Sequence, residues 1–201
     1  MKLVDVIDNK ENRDILNEFI KEILVQDDHR NILSYKFLLE TEDLKTYYHR
    51  FTMVMNEEEE VVSIQGIRHS PNNYSYPANI CRICDRHYVN MKYRANYDRE
   101  PYYSKYCLKS DIEYLKDNHP EVDTVFVSME GTRGHKFFKR KTLDFYKDQG
   151  FDFCIDDKFY QTCNHFVSKS CWQACVYYNI RGGNHKLDLP NINYEEWIGK
   201  E

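Results

Sequence analysis

Apolar positions change period along the chain, and those changes mark out its elements. Residues 2–7 alternate weakly and are read as a short strand. Residues 12–24 carry Ile15, Leu16, Phe19, Ile20, Ile23 and Leu24 at helical spacing, which predicts an amphipathic helix. Residues 27–50 hold no clear period. Within them, 41–50 is read as a second short helix with Thr41 as its N-cap. The pattern then turns to period two at 51–55 and 61–68, around the polar stretch 56–60, and predicts a hairpin. The run EEEE at its tip is read as a solvated turn. Residues 69–77 form a loop rich in Asn, Ser, Tyr and Pro, and a strand comes next at 78–89. A helix at 102–118 is bounded by Pro120. Then come a strand at 122–129, a basic amphipathic helix at 135–149 stopped by Gly150, and strands at 151–155 and 171–180.

Strand 78–89, helix 102–118 and strand 122–129 make a βαβ unit, so two neighbouring strands are expected to run parallel. The class is α/β, with α+β character from the hairpin and from the closing pair of strands. One domain is expected over residues 1–180, with 181–201 as a tail or arm that begins at Gly182-Gly183. The length of 201 residues suits a single core that needs no staples.

Composition narrows the functional classes. A net charge of -5 gives no global pull toward nucleic acid. The seventeen Tyr suggest half-buried rings and clefts, because the ring packs while the hydroxyl needs a partner. Asp5 and Asp8 interrupt any leader-like apolar run, and no stretch is long enough to span a bilayer, so the expected location is cytoplasmic. Seven cysteines in that setting are read as free thiols.

Two motifs carry a family resemblance. RHYVNMKYR, residues 86–94, is an apolar strand end followed by a short turn and Tyr-Arg; Val89, Asn90, Tyr93 and Arg94 fit the pattern, with Met91 where a proline is usual. LDFYKDQGF, residues 143–151, gives Tyr, three residues, Gly, Phe. With VFVSME between them, this order resembles the GNAT acyltransferase superfamily over about residues 50–180. The resemblance implies a mixed central sheet with helices on both faces. It also implies acetyl-CoA or another acyl-CoA lying where the fourth and fifth strands diverge. The fourth strand, at Tyr88 and Val89, would hold the pantetheine and the thioester.

In that family a Gly-rich loop cradles the pyrophosphate at a helix start. Here the loop reads RANYDRE, and no glycine occurs between Gly66 and Gly131. Asp98 and Glu100 would repel a phosphate, whereas Arg94, Arg99 and Lys105 would pair with it. Three readings stay open: CoA held in a modified way, a different ligand, or a scaffold without activity.

Tyr146 matches the family's tyrosine that protonates the departing thiolate, and reads equally as a core aromatic of its helix. Asp85 and His87 alternate on the fourth strand and are candidate bases, with Glu130 as their rival. Asp85 reads also as an ion-pair partner of Arg82 or Arg86. Cys81, Cys84, Cys171 and Cys175 have loose zinc-ligand spacing, but alternation in a strand separates i from i+3, and no metal is expected. The basic segment RGHKFFKRK, from Arg133 to Lys141, would hold the phosphates of CoA through Lys139, an acidic substrate, or nucleic acid; it reads also as a solvated helix face. The first expectation is acyl transfer to a small-molecule or protein amine. The alternatives are a catalytically inactive binding module and a phage-type nucleic-acid-modifying relative. A homodimer through a sheet edge is also open.

Overall fold

A computed structural model describes residues 2–26, 32–69, 79–94, 102–130, 140–155 and 173–181. In chain order these form β1 (Lys2–Asp5), α1 (Lys10–Gln26), α2 (Ile32–Glu40), β2 (Tyr48–Met55), β3 (Val61–Arg68), β4 (Ile80–Val89), α3 (Met91–Arg94), α4 (Tyr102–Asn118), β5 (Thr124–Glu130), α5 (Arg140–Asp148), β6 (Asp152–Ile155) and β7 (Gln173–Asn179). The strands make one seven-stranded sheet in the order β1-β2-β3-β4-β5-β7-β6. Every neighbouring pair is antiparallel except β4 and β5. The fold class read from the sequence, a mixed sheet with helices on both faces, is the one observed.

Alternation along the hairpin sorts the two faces. Phe51, Met53 and Ile64 pack with Leu16, Phe19, Ile20 and Ile23 of α1 and with Tyr35 and Leu38 of α2. Ser63 turns the other way and meets Cys107 of α4 at 3.8 Å. Residues from α4 and α5 then cover Ile67, Cys81, Ile83, Val125 and Val127. Each helix is amphipathic because the sheet takes only one of its sides.

Local chemistry sets the ends of the helices. Asn9 Oδ1 accepts the Asn12 N–H at 3.0 Å and starts α1. Arg13 Nη2 donates to the carbonyls of Leu38 and, at 2.9 Å, Thr41, which are among the terminal carbonyls that α2 leaves unpaired. Arg181 does the same at the end of α4. Its Nη2 donates to Lys116 O at 3.0 Å and His119 O at 3.1 Å, and its Nε to Val122 O at 2.9 Å.

The helix expected at 41–50 is a correction. The helix lies at Ile32–Glu40, and Thr41 closes it, with its N–H and Oγ1 both donating to Phe37 O at 3.0 and 2.7 Å. Beyond it the chain makes one 3-10 turn, Leu44–Thr46, capped by Asp43. Tyr48 already pairs with Arg68, so the sheet claims the rest.

Gly66 is placed by steric need. A Cβ there would lie 2.6 Å from Tyr48 Cδ1 and 2.8 Å from Phe51 Cδ2, and both rings are fully buried. Gly66→Ala is expected to cost about 1–3 kcal/mol through overpacking, and thermal unfolding would register it as a drop of several degrees. An unchanged midpoint would mean the two rings have room to move.

Candidate active site

β4 and β5 pair over only three positions: Ile80 with Thr124, Cys81 with Val125, and Arg82 with Phe126. Past Arg82, β4 keeps its ladder to β3 as far as Val89, and β5 keeps its ladder to β7 as far as Glu130. Among the described residues, neither strand pairs across the widening gap.

The cause of the divergence lies within β4. Cys84 and Arg86 have φ of 53° and 55°, the left-handed region, and the register to β3 slips on either side of Gly66. Each such residue costs about 1–2 kcal/mol when it is not glycine. Bulges of this kind bend the strand and increase its twist. They also break the period of two. Cys81 and Cys84, expected on opposite faces, border the same apolar cluster. Asp85 and His87, expected on one face, flank Arg86, whose backbone is left-handed.

Tyr146 faces this region from α5. Its helix ends in a Schellman motif: Gly150 at φ 84° donates to Lys147 O at 2.9 Å, and Phe151 donates to Tyr146 O at 3.0 Å. The rings of Tyr146 and buried Phe151 touch with centroids 5.5 Å apart, the apolar contact that accompanies such a cap. The motif Tyr-x-x-x-Gly-Phe is therefore a helix stop first. It leaves the Tyr146 hydroxyl to hydrogen-bond the Cys84 thiol at the bulge.

Burial pushes that thiol well above its ordinary pKa, and pushes Cys81 and Cys107 up to about 12. None of these three is a ready nucleophile. Among the described residues no group of His, Cys, Asp and Glu is arranged to hold a metal ion. Cys171 lies outside them.

The other candidates fall in several places. Tyr88 is buried on the α1 side between Phe19 and Tyr35, ring centroids 6.1 and 5.6 Å away. Val89 is buried and pairs with Ser63. His87 Nδ1 is 3.4 Å from Gln65 Oε1. Asp85, Arg94 and Glu130 have described backbones, in β4, α3 and β5. Lys105 is exposed on α4. Arg99, Lys139 and most of the basic segment from Arg133 to Lys141 lie outside the described residues.

Two groups are not visible in the sequence. At the mouth, Glu60 gathers Lys92 Nζ at 2.6 Å and the Tyr93 hydroxyl, while Asn56 Nδ2 donates to Tyr93 Oη at 2.9 Å. These contacts hold the Glu60 carboxyl down at about 2 and fix the turn after β4 to the hairpin tip. Beneath the strands, Asp111 of α4 is fully buried. The Cys84 N–H, released from the ladder by the bulge, donates to it. Arg50 lies near, but its fork is committed to Asp5 at 2.6 and 3.1 Å and to Ser110 Oγ at 3.0 Å. Desolvation wins, and the Asp111 carboxyl is pushed up to about 7.

A third set of titratable groups sits at the far end of the sheet. His49 stacks near His119 and His69, with centroids 4.1 and 5.0 Å away, and burial with those two neighbours lowers it to about 4. It belongs to the end where β4 and β5 are joined.

No family model matches the sequence, and no curated protein matches it. Solved structures do. An aminoglycoside 6′-N-acetyltransferase complexed with coenzyme A superposes with a TM-score of 0.58 over 90% of this chain and 97% of its own, at 10% identity. An acetyltransferase of the GNAT family from Staphylococcus aureus Mu50 gives 0.52 over 90% and 100%, at 15% identity. The chain has a divergent GNAT-like fold. At such identities the likeness speaks for the GNAT architecture alone. In this chain that architecture includes the diverging pair of strands. No described helix is long and apolar enough to cross a membrane.

The raised Asp111 has a signed consequence. Its folded-state pKa lies above the unfolded value, so the stability it permits is intact below about pH 4 and is lost as pH rises toward 7. Asp111→Asn is therefore expected to be more stable than the parent at pH 8, by up to about 4 kcal/mol, with a smaller gap at pH 5. Urea unfolding at the two pH values measures this. A gap that does not widen with pH would mean that Asp111 is ionised in the fold without penalty.

Proposed function

We propose that the chain is an acyltransferase that moves an acetyl or other acyl group from acyl-CoA to an amine of a small molecule or protein. One observation carries this reading: β4 leaves β5 after three pairs, and the Tyr146 hydroxyl is anchored on β4 beside the opening. The side of β4 that makes no ladder with β5 beyond Arg82 suits an extended amide-bearing chain, which the pantetheine arm is. The backbone at Tyr88 and Val89 is assigned to hold it, and Arg94, Arg99, Lys105 and Lys139 to pair with the phosphates. That pairing takes the place of a glycine-lined cradle and depends on side-chain charge.

The donor supplies an activated thioester carbonyl. The amine nitrogen forms the new C–N bond as the C–S bond breaks. His87, Asp85 or Glu130 takes the proton from nitrogen, and Tyr146 gives its hydroxyl proton to sulfur. High thiol pKa values at Cys81, Cys84 and Cys107 argue against an acyl-enzyme at those three cysteines, and direct attack needs none. A binding module of the same shape without catalysis is the second reading. The glycine-free loop with Asp98 and Glu100 favours it.

Acetyl-CoA is expected to raise the unfolding midpoint saturably, because a ligand that binds only the folded state stabilises it by mass action. Once an amine acceptor is found by thiol release, Tyr146→Phe is expected to lower kcat by roughly 10²-fold, with acetyl-CoA affinity nearly unchanged. No shift at millimolar acetyl-CoA would discard the acyl-CoA reading. A shift with no thiol release toward any amine would favour the binding module.

A further inference from the structure

The hairpin tip and the turn after β4 are tied together at the open end of the gap. β4 meets β5 only from Ile80 to Arg82, whereas its other end, at Val89, lies opposite Ser63 of β3. Residues 56–60, between β2 and β3, therefore stand beside Met91–Arg94 and away from the seam.

Two layers of contact make the tie. The first centres on Asn90. Its N–H donates to Val62 O at 2.8 Å and its Nδ2 to Val61 O at 3.3 Å. Its Oδ1 accepts the Lys92 N–H at 3.0 Å, and its carbonyl accepts the Tyr93 N–H at 2.8 Å. The second layer centres on Glu60. Lys92 Nζ donates to Oε1 at 2.6 Å and to Oε2 at 2.9 Å, and the Tyr93 hydroxyl donates to Oε2. Asn56 Nδ2 reaches Oε2 at 3.1 Å and Tyr93 Oη at 2.9 Å. Asn56 Oδ1 accepts the Glu58 and Glu60 N–H groups at 3.0 and 2.8 Å, so the carboxylate is braced from its own side as well.

An exposed Lys–Glu pair by itself stabilises little. Here one carboxylate holds two consecutive residues of a four-residue turn, and Arg94 comes next. Its Cα is one peptide, about 3.8 Å, from that of Tyr93. A Gly-rich cradle fixes an anion through backbone N–H groups, whereas RANYDRE has no glycine and leaves the phosphates to long side chains. Such side chains lose rotamer freedom on binding, and a fixed backbone at their root limits what else must be ordered.

We propose that Glu60 is a positioning residue for the phosphate end of acyl-CoA: by pinning Lys92 and Tyr93 to the hairpin tip, it sets the place of Arg94 at the open end of the gap. This role rests on the acyl-CoA reading above. Its sign is opposite to that of a through-space effect. Glu60 is an anion near the place assigned to an anion, so by charge alone its removal tightens binding. Loss of a positioning group loosens it.

The test is calorimetric titration of the full chain with acetyl-CoA. It compares the parent, Arg94→Gln, Glu60→Ala, Tyr93→Phe, and Glu60→Ala combined with Arg94→Gln. Arg94→Gln is expected to weaken binding about tenfold, the loss of a charge-assisted contact. Glu60→Ala is expected to weaken it to a similar degree although a negative charge has gone. Tyr93→Phe leaves every charge in place and is expected to weaken it several-fold. The combined variant is expected to bind no more than about twofold worse than Arg94→Gln, because both changes remove the same contact. Tighter binding by Glu60→Ala, or losses that multiply in the combined variant, overturns the proposal and leaves the acyl-CoA reading standing. A parent that does not bind millimolar acetyl-CoA discards both.

Discussion

Three residue pairs join the halves of the sheet. The rest of the structure depends on how that seam is kept short. Cys84 and Arg86 hold backbone strain that bends β4 away, and the bend has three local effects. It opens the side of β4. It frees the Cys84 N–H to meet Asp111. It also sets the Cys84 thiol where the Tyr146 hydroxyl can reach it. A straight β4 would continue the parallel ladder and close the gap, and α4 would then face a complete strand with no donor to spare for its buried carboxyl.

The features legible in the sequence are those made by near neighbours. The hairpin around 56–60 and the stop at Gly150 rest on contacts within a few residues, and α1 shows its period locally although its apolar side packs on distant strands. The Schellman cap shows why Tyr-x-x-x-Gly-Phe can be read at all: its two ends touch. The second helix escapes the pattern because Ile32–Glu40 has only Ser34, Lys36 and Glu40 as clearly polar residues, and their spacing of two and four marks no clear helical face. Residues 41–50 have helical-looking spacing, yet Tyr48 is held by a partner twenty positions on.

The site is legible in outline only. Neither Cys84 nor Arg86 is a residue that announces a left-handed backbone, so counting by twos along β4 goes astray there. Asp111 sits in a helix among Lys109, Glu113 and Lys116, in the company of an ordinary solvated face. Its burial comes from β3 and β4, which lie more than twenty residues away in sequence. Glu60 closes a run of four glutamates and looks like its neighbours; Lys92 and Tyr93 set it apart. Tyr146 packs through its ring as a core aromatic of its helix, and its hydroxyl reaches Cys84 of β4.

The short seam also has a kinetic meaning. β1 to β4 form an antiparallel block, and β5 to β7 form another. Pairing within the hairpin of the first block needs only a small loop to close. The seam must wait for a crossover that carries all of α4, and it gains just three pairs for that loop-closure entropy. Assembly of this chain is thus a docking problem between two preformed sheets, and the gap between them is what remains where docking stops.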